Sequence, residues 1–87
     1  MNTAMNWLSL VKEKITLDEP ETLEIMELTQ NIVIKYGMPS GEELLYFSVT
    51  IDIGQASQNP ELVVAATEKL MRQAKSVTKA FLIPNTE

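Results

Sequence analysis

The sequence predicts an α+β domain, and three observations carry that prediction. From Leu45 to Ile53 apolar and polar residues alternate strictly, as in a half-buried strand. Asn31–Tyr36 is β-branched and aromatic, which suits a partner strand for it. Asn59–Leu82 reads as one long amphipathic helix, able to cover the apolar face of that ribbon. The competing architecture is an all-α, four-helix protein in which residues 41–55 form a buried central helix.

Taken in order, residues 4–15 show helical periodicity. Ala4, Trp7, Leu8, Val11 and Ile15 share a face, Thr3 is placed to cap it, and Lys12, Glu13 and Lys14 mark its polar end. Asp18-Glu19-Pro20-Glu21 follows, with a capping acid, a proline and further negative charge. This grammar predicts a second helix containing Leu23–Leu28. Beyond it, Ile25, Leu28, Ile32 and Tyr36 would also form a helical stripe stopped by Gly37. A strand at 45–53 needs a partner for its backbone groups, however, and residues 31–36 are the nearest candidate. The hairpin therefore spans about residues 31–54, turning through Gly37-Met38-Pro39-Ser40-Gly41. Ser40-Gly41-Glu42-Glu43 has the spacing of a capping box and argues the other way. The strand is expected to stop at Gly54, with Gln55–Gln58 as a polar connection.

The last helix has the plainest start: Asn59 as N-cap, Pro60 at the first position, and Glu61 at the positive end of the dipole. At about 100° per residue, Val63, Ala66, Leu70, Ala74, Val77 and Phe81 fall on one side. Lys69, Arg72, Lys75 and Lys79 fall on the other. Residues 83–87 contain Pro84 and are expected to fray.

Eighty-seven residues make a single domain with a small core, and with no cysteine no disulfide can reinforce it. Burying more apolar surface against a second chain is the natural remedy, so a homo-oligomer is expected. Lacking both cysteine and histidine, the chain has none of the usual ligands for zinc, copper or iron and none of the common nucleophile–base pairs. No metal, cofactor or catalytic residue is predicted. The start lacks a cationic, then uninterrupted apolar, leader, and no run of roughly 18 apolar residues exists to span a bilayer. A cytoplasmic protein is the expectation.

Net charge is −5, unevenly spread: residues 1–59 hold nine acids and three bases, residues 60–87 three acids and four bases. The acidic total argues against general nucleic-acid binding. Two charged features remain as candidate sites. The basic stripe of Lys69, Arg72, Lys75 and Lys79 suits an acidic partner surface or phosphates. The acidic patch of Asp18, Glu19, Glu21, Glu24 and Glu27, extended by Glu42 and Glu43, could imitate phosphates. Small acidic inhibitors encoded by phages and plasmids occupy nucleic-acid grooves in this way. The function that best fits is non-catalytic protein binding. Acidic inhibition or regulation of a nucleic-acid-handling complex stands second, and nucleic-acid binding through the basic helix face third.

Overall fold

The structure, a computed structural model, describes residues 6–82, with side chains described as far as Thr78. Thr3 and Ala4, the tail at 83–87 and the side chains of Lys79 and Phe81 lie outside the described residues. The chain folds as α1 (Trp7–Lys14), β1 (Thr22–Glu27), β2 (Asn31–Ser40), β3 (Glu43–Asp52), α2 (Ile53–Gln58) and α3 (Glu61–Leu82). The strands form one antiparallel sheet in the order β1-β2-β3, with α1 and α3 packed together on one face. The domain is α+β, and the all-α alternative is excluded.

The predicted hairpin is present but longer than expected. Ile34 faces Val49 and Tyr36 faces Phe47, and the strands continue to Ser40 opposite Glu43. The turn is therefore Gly41-Glu42 rather than Gly37–Gly41. Gly41 has φ of 67° while Glu42 stays on the ordinary side, the pattern of a glycine-first turn whose twist suits a hairpin. The apparent capping box at 40–43 is this turn. Pro39 is accommodated in β2 because its missing N–H points to the side where β1 has already ended, at the Thr22–Gly37 pair. At Gly37 a Cβ would meet Thr22 Oγ1 and the Tyr46 ring, so a larger residue would require those side chains to shift.

The second helix is corrected: Thr22–Glu27 is a strand. Its acidic lead-in folds as a local turn, in which Glu21 N–H donates to Asp18 C=O (2.7 Å) and Glu21 Oε1 accepts from Asp18 N–H (2.9 Å). Those groups are thus used up before any helix begins. Leu23 and Ile25 then alternate with Thr22, Glu24 and Met26, and the strand pairs with β2 across a tight turn closed by Leu28 N–H to Asn31 C=O (2.7 Å). The polar connection after β3 is also corrected. Asp52 ends the strand and caps the short α2, its Oδ2 accepting from Gln55 N–H (3.1 Å).

The core lies between the sheet and the helices. Ile32, Ile34 and Tyr36 of β2 are fully buried, and Leu10 and Val11 of α1, Ile51, Ala56 and Val63, Val64, Leu70 and Ala74 of α3 close over them. α1 begins at Asn6, whose Oδ1 accepts from Leu8 N–H (2.7 Å). The buried face of α3 is rotated from the expected one. Thr67 and Thr78 point inward, while Val77 is 43% exposed. Thr67 is satisfied by donating to Val63 C=O (2.8 Å) within its own helix. Thr78 Oγ1 is buried and has no partner among the described residues.

That difference has a measurable consequence. Thr78→Val keeps the shape and removes an unbonded hydroxyl, so urea unfolding should show a gain of about 1 kcal/mol. Thr67→Val, which removes a satisfied hydroxyl, should give no comparable gain.

Candidate functional site

Helical geometry disperses the predicted basic stripe. Lys69 and Lys75 are six residues apart, which at about 100° per residue places them roughly 120° apart around the axis. Lys69 accordingly lies toward β3, beside Ser48 and Val49, and Arg72 and Lys75 lie toward the end of α1 with Lys14 and Thr16. Lys14 is thus a neighbour of the basic face that helical spacing within α3 has no means of revealing. The side chain of Lys79 lies outside the described residues.

The acidic residues separate as well. Asp18 and Glu19 are exposed in the turn before β1. Glu24 sits on the outer face of the sheet, 3.9 Å from Lys35 Nζ, and Lys35 in turn lies 4.7 Å from the centre of the Tyr46 ring. Glu27 is exposed at the end of β1, and Glu42 and Glu43 are at the far hairpin. Glu21 alone turns inward. Its side chain is 8% exposed, its Oε2 accepts from the Tyr36 hydroxyl (2.6 Å) and lies 3.6 Å from Lys75 Nζ. The cluster ties the start of β1 to the central strand and to α3.

The electrostatics of this cluster suit anchoring rather than proton transfer. Burial, followed by the hydrogen bond to Glu21 and the charges of Glu21 and Asp18, pushes the Tyr36 hydroxyl well above its ordinary value. Burial also works to raise Glu21. The bonds from Tyr36 and the Asp18 N–H, with the charge of Lys75, outweigh it and hold the carboxyl below the ordinary carboxylate value. Both groups are moved away from neutrality, so neither exchanges a proton near pH 7.

The other distinctive surface is the outer edge of β3, on which no strand pairs among the described residues. Ile53 N–H donates to Gln30 C=O (3.0 Å), which fixes the hydrogen-bonding phase of the β2–β3 ladder. Odd-numbered residues of β3 bond to β2, and the N–H and C=O groups of Leu44, Tyr46, Ser48 and Thr50 point to the open side. No charge, proline or glycine interrupts Leu44–Ile51. Above this edge two adjoining clefts run between β3 and α3. One, of about 430 Å³, includes Val49, Leu62, Ala65, Ala66 and Lys69, and the other, of about 420 Å³, includes Phe47, Gln73, Ser76 and Val77. The opposite edge differs: β1 is only Thr22–Glu27 and carries Glu24 and Glu27, beside an apolar cleft of about 530 Å³ under α1.

Comparison with known protein families, curated proteins and solved structures gives no match.

The Glu21 cluster makes two measurable statements. Because the folded state holds the Glu21 carboxyl below its ordinary value of 4.5, its contribution is present above that pH. It is lost as pH falls through the lowered folded value. Glu21→Gln should therefore flatten part of the stability loss below pH 4.5 in chemical denaturation series. Tyr36→Phe leaves the carboxylate short of a donor in a buried setting and should cost about 1–3 kcal/mol at neutral pH.

Proposed function

We propose that this chain is a small, non-catalytic cytoplasmic domain that binds another protein and assembles as a homo-oligomer. The observation that carries this reading is the β3 edge. It offers four consecutive outward-facing backbone pairs, no charge between Leu44 and Ile51, and an apolar cleft beside it. Native domains ordinarily blunt such an edge with charges, proline or a covering element, because it is a template for another strand. Tyr46, 56% exposed, and Val77, 43% exposed, add apolar surface around it.

The non-catalytic reading is supported by a chain without histidine or cysteine and by a buried tyrosine–carboxylate pair held far from neutrality. A cytoplasmic place is supported by the absence of cysteine, since small secreted domains depend on disulfides. No helix among the described residues is long and apolar enough to cross a membrane. Lys69, which lines the cleft, and Arg72, on the α1 side, offer cations to a partner, while Lys75 faces Glu21 at 3.6 Å. The phosphate-mimic reading asks for one ridge of carboxylates. Asp18, Glu19, Glu21, Glu24 and Glu27 instead occupy separate surfaces, so protein binding through the edge is preferred.

Light scattering at micromolar concentration should give a mass above the 9.8 kDa of one chain. The thermal midpoint should rise with protein concentration, as linkage to assembly requires. A monomer with a sharp, concentration-independent transition would count against the oligomer.

A further inference from the structure

We infer that the occupant of the β3 edge is a second copy of this chain, with β3 pairing antiparallel to β3 across a twofold axis perpendicular to the sheet. This deepens the homo-oligomer reading and rests on it. The result would be a continuous six-stranded sheet with both copies' helices on the same face.

The hydrogen-bonding phase permits the pairing. A twofold axis passing through a Phe47–Phe47 pair sets even-numbered residues opposite even-numbered ones, Tyr46 against Ser48 and Leu44 against Thr50. The outward N–H and C=O groups of Leu44, Tyr46, Ser48 and Thr50 then meet their equivalents. The same operation brings the half-buried Phe47 and Val49 of the two copies together on the core side.

Helix spacing is the independent test of fit. α3 lies over β2 and β3 alike. If β3 pairs with its copy at ordinary strand spacing, the two α3 axes fall two spacings apart, about 9.6 Å. Packed helices stand about 8–10 Å apart, so the helices would meet without forcing the sheet open. The facing side chains suit that approach. The twofold reverses the direction of the second α3, so the helices run past each other in opposite directions, with Leu62 and Val49 lining one cleft and Val77 and Phe47 the other. Ala65 and Ala66 of one copy then face Ser76 and Val77 of the other. Lys69 falls beside the other copy's Gln73, which can accept its hydrogen bond rather than repel its charge. Val77, exposed in the single chain, becomes covered.

The area is adequate. A ten-residue strand is about 33 Å long, and a helix on a sheet presents an edge about 20 Å deep. That is on the order of 600 Å² per copy and about 1,200 Å² in total, the lower bound for a specific interface. The short, charged β1 edge has no such match.

Two variants test this, each made at an exposed position. Ser48→Pro removes an N–H that faces the open edge and has no partner among the described residues. Ala65→Glu puts a charge into the helix–helix contact and leaves the strand untouched. Wild-type protein should give twice the 9.8 kDa chain mass in light scattering at micromolar concentration. Each variant should give the single-chain mass with an unchanged circular dichroism spectrum. If Ser48→Pro disturbs the fold, Ala65→Glu decides alone. A wild-type monomer overturns both the oligomer reading and this pairing. A folded variant that stays dimeric overturns the edge pairing and leaves the oligomer reading standing, through another surface.

Discussion

The backbone of β2 has to be hydrogen-bonded on both sides while its inner side chains are removed from water, and the arrangement of the other elements follows from that demand. Asn31, Val33, Lys35 and Gly37 bond toward β1, while Ile32, Ile34 and Tyr36 bond toward β3. A buried strand with one side unbonded would leave several amide and carbonyl groups without partners, each costing on the order of 1–3 kcal/mol. Residues 22–27 are thereby drawn into the sheet even though their lead-in resembles a helix start. Because Ile32, Ile34 and Tyr36 all point the same way, the helices gather on that face. The opposite face keeps Glu24, Lys35 and Tyr46, a polar and aromatic set stable in water.

Tyr36 is where the central strand becomes polar, and the fold handles it locally. The ring contributes apolar area to the core while the hydroxyl finds Glu21 at 2.6 Å. Glu21 is in turn held by the Asp18 amide and faces Lys75. The carboxylate thus fixes the path of the chain into β1 and gives α3 an electrostatic reason to lie where it does. A carboxyl in this position without both donors would be an uncompensated charge near the core.

The hairpin was legible because period-two alternation over Leu45–Ile53 makes a clean half-buried ribbon, whereas a helix of the same residues would be apolar nearly all the way round. Its partner followed from the need to pair a strand. β1 was not legible, since six residues of modest alternation were outweighed by a proline and acids that also begin helices. What they form here is a turn, and only the pairing with β2 reveals it. The rotated face of α3 has a different cause. Hydropathy treats threonine as polar, but Thr67 can be buried because its hydroxyl bonds its own helix. The described cations of α3 span about 120° of helix, a width that neighbouring elements divide, with Lys69 toward β3 and Arg72 and Lys75 toward α1. Glu21 and Tyr36 lie fifteen residues apart and come together through the β1–β2 register, which local periodicity does not encode.

The two sheet edges carry different chemistry, and the difference has physical weight. β1 is short and bears Glu24 and Glu27, so a strand approaching it meets like charge if the approaching copy is β1 itself. β3 has ten residues, with its charges confined to Glu43 and Asp52 at the ends. A single added lysine in the middle of β3 would guard it at little cost to the monomer, since Tyr46, Ser48 and Thr50 are all exposed. An unguarded edge of this length exposes the chain to indiscriminate strand addition unless something specific occupies it. Above that edge the α3 side of the clefts carries the small residues Ala65, Ala66 and Ser76. Under the proposed pairing, these side chains would let the second copy's helix approach closely.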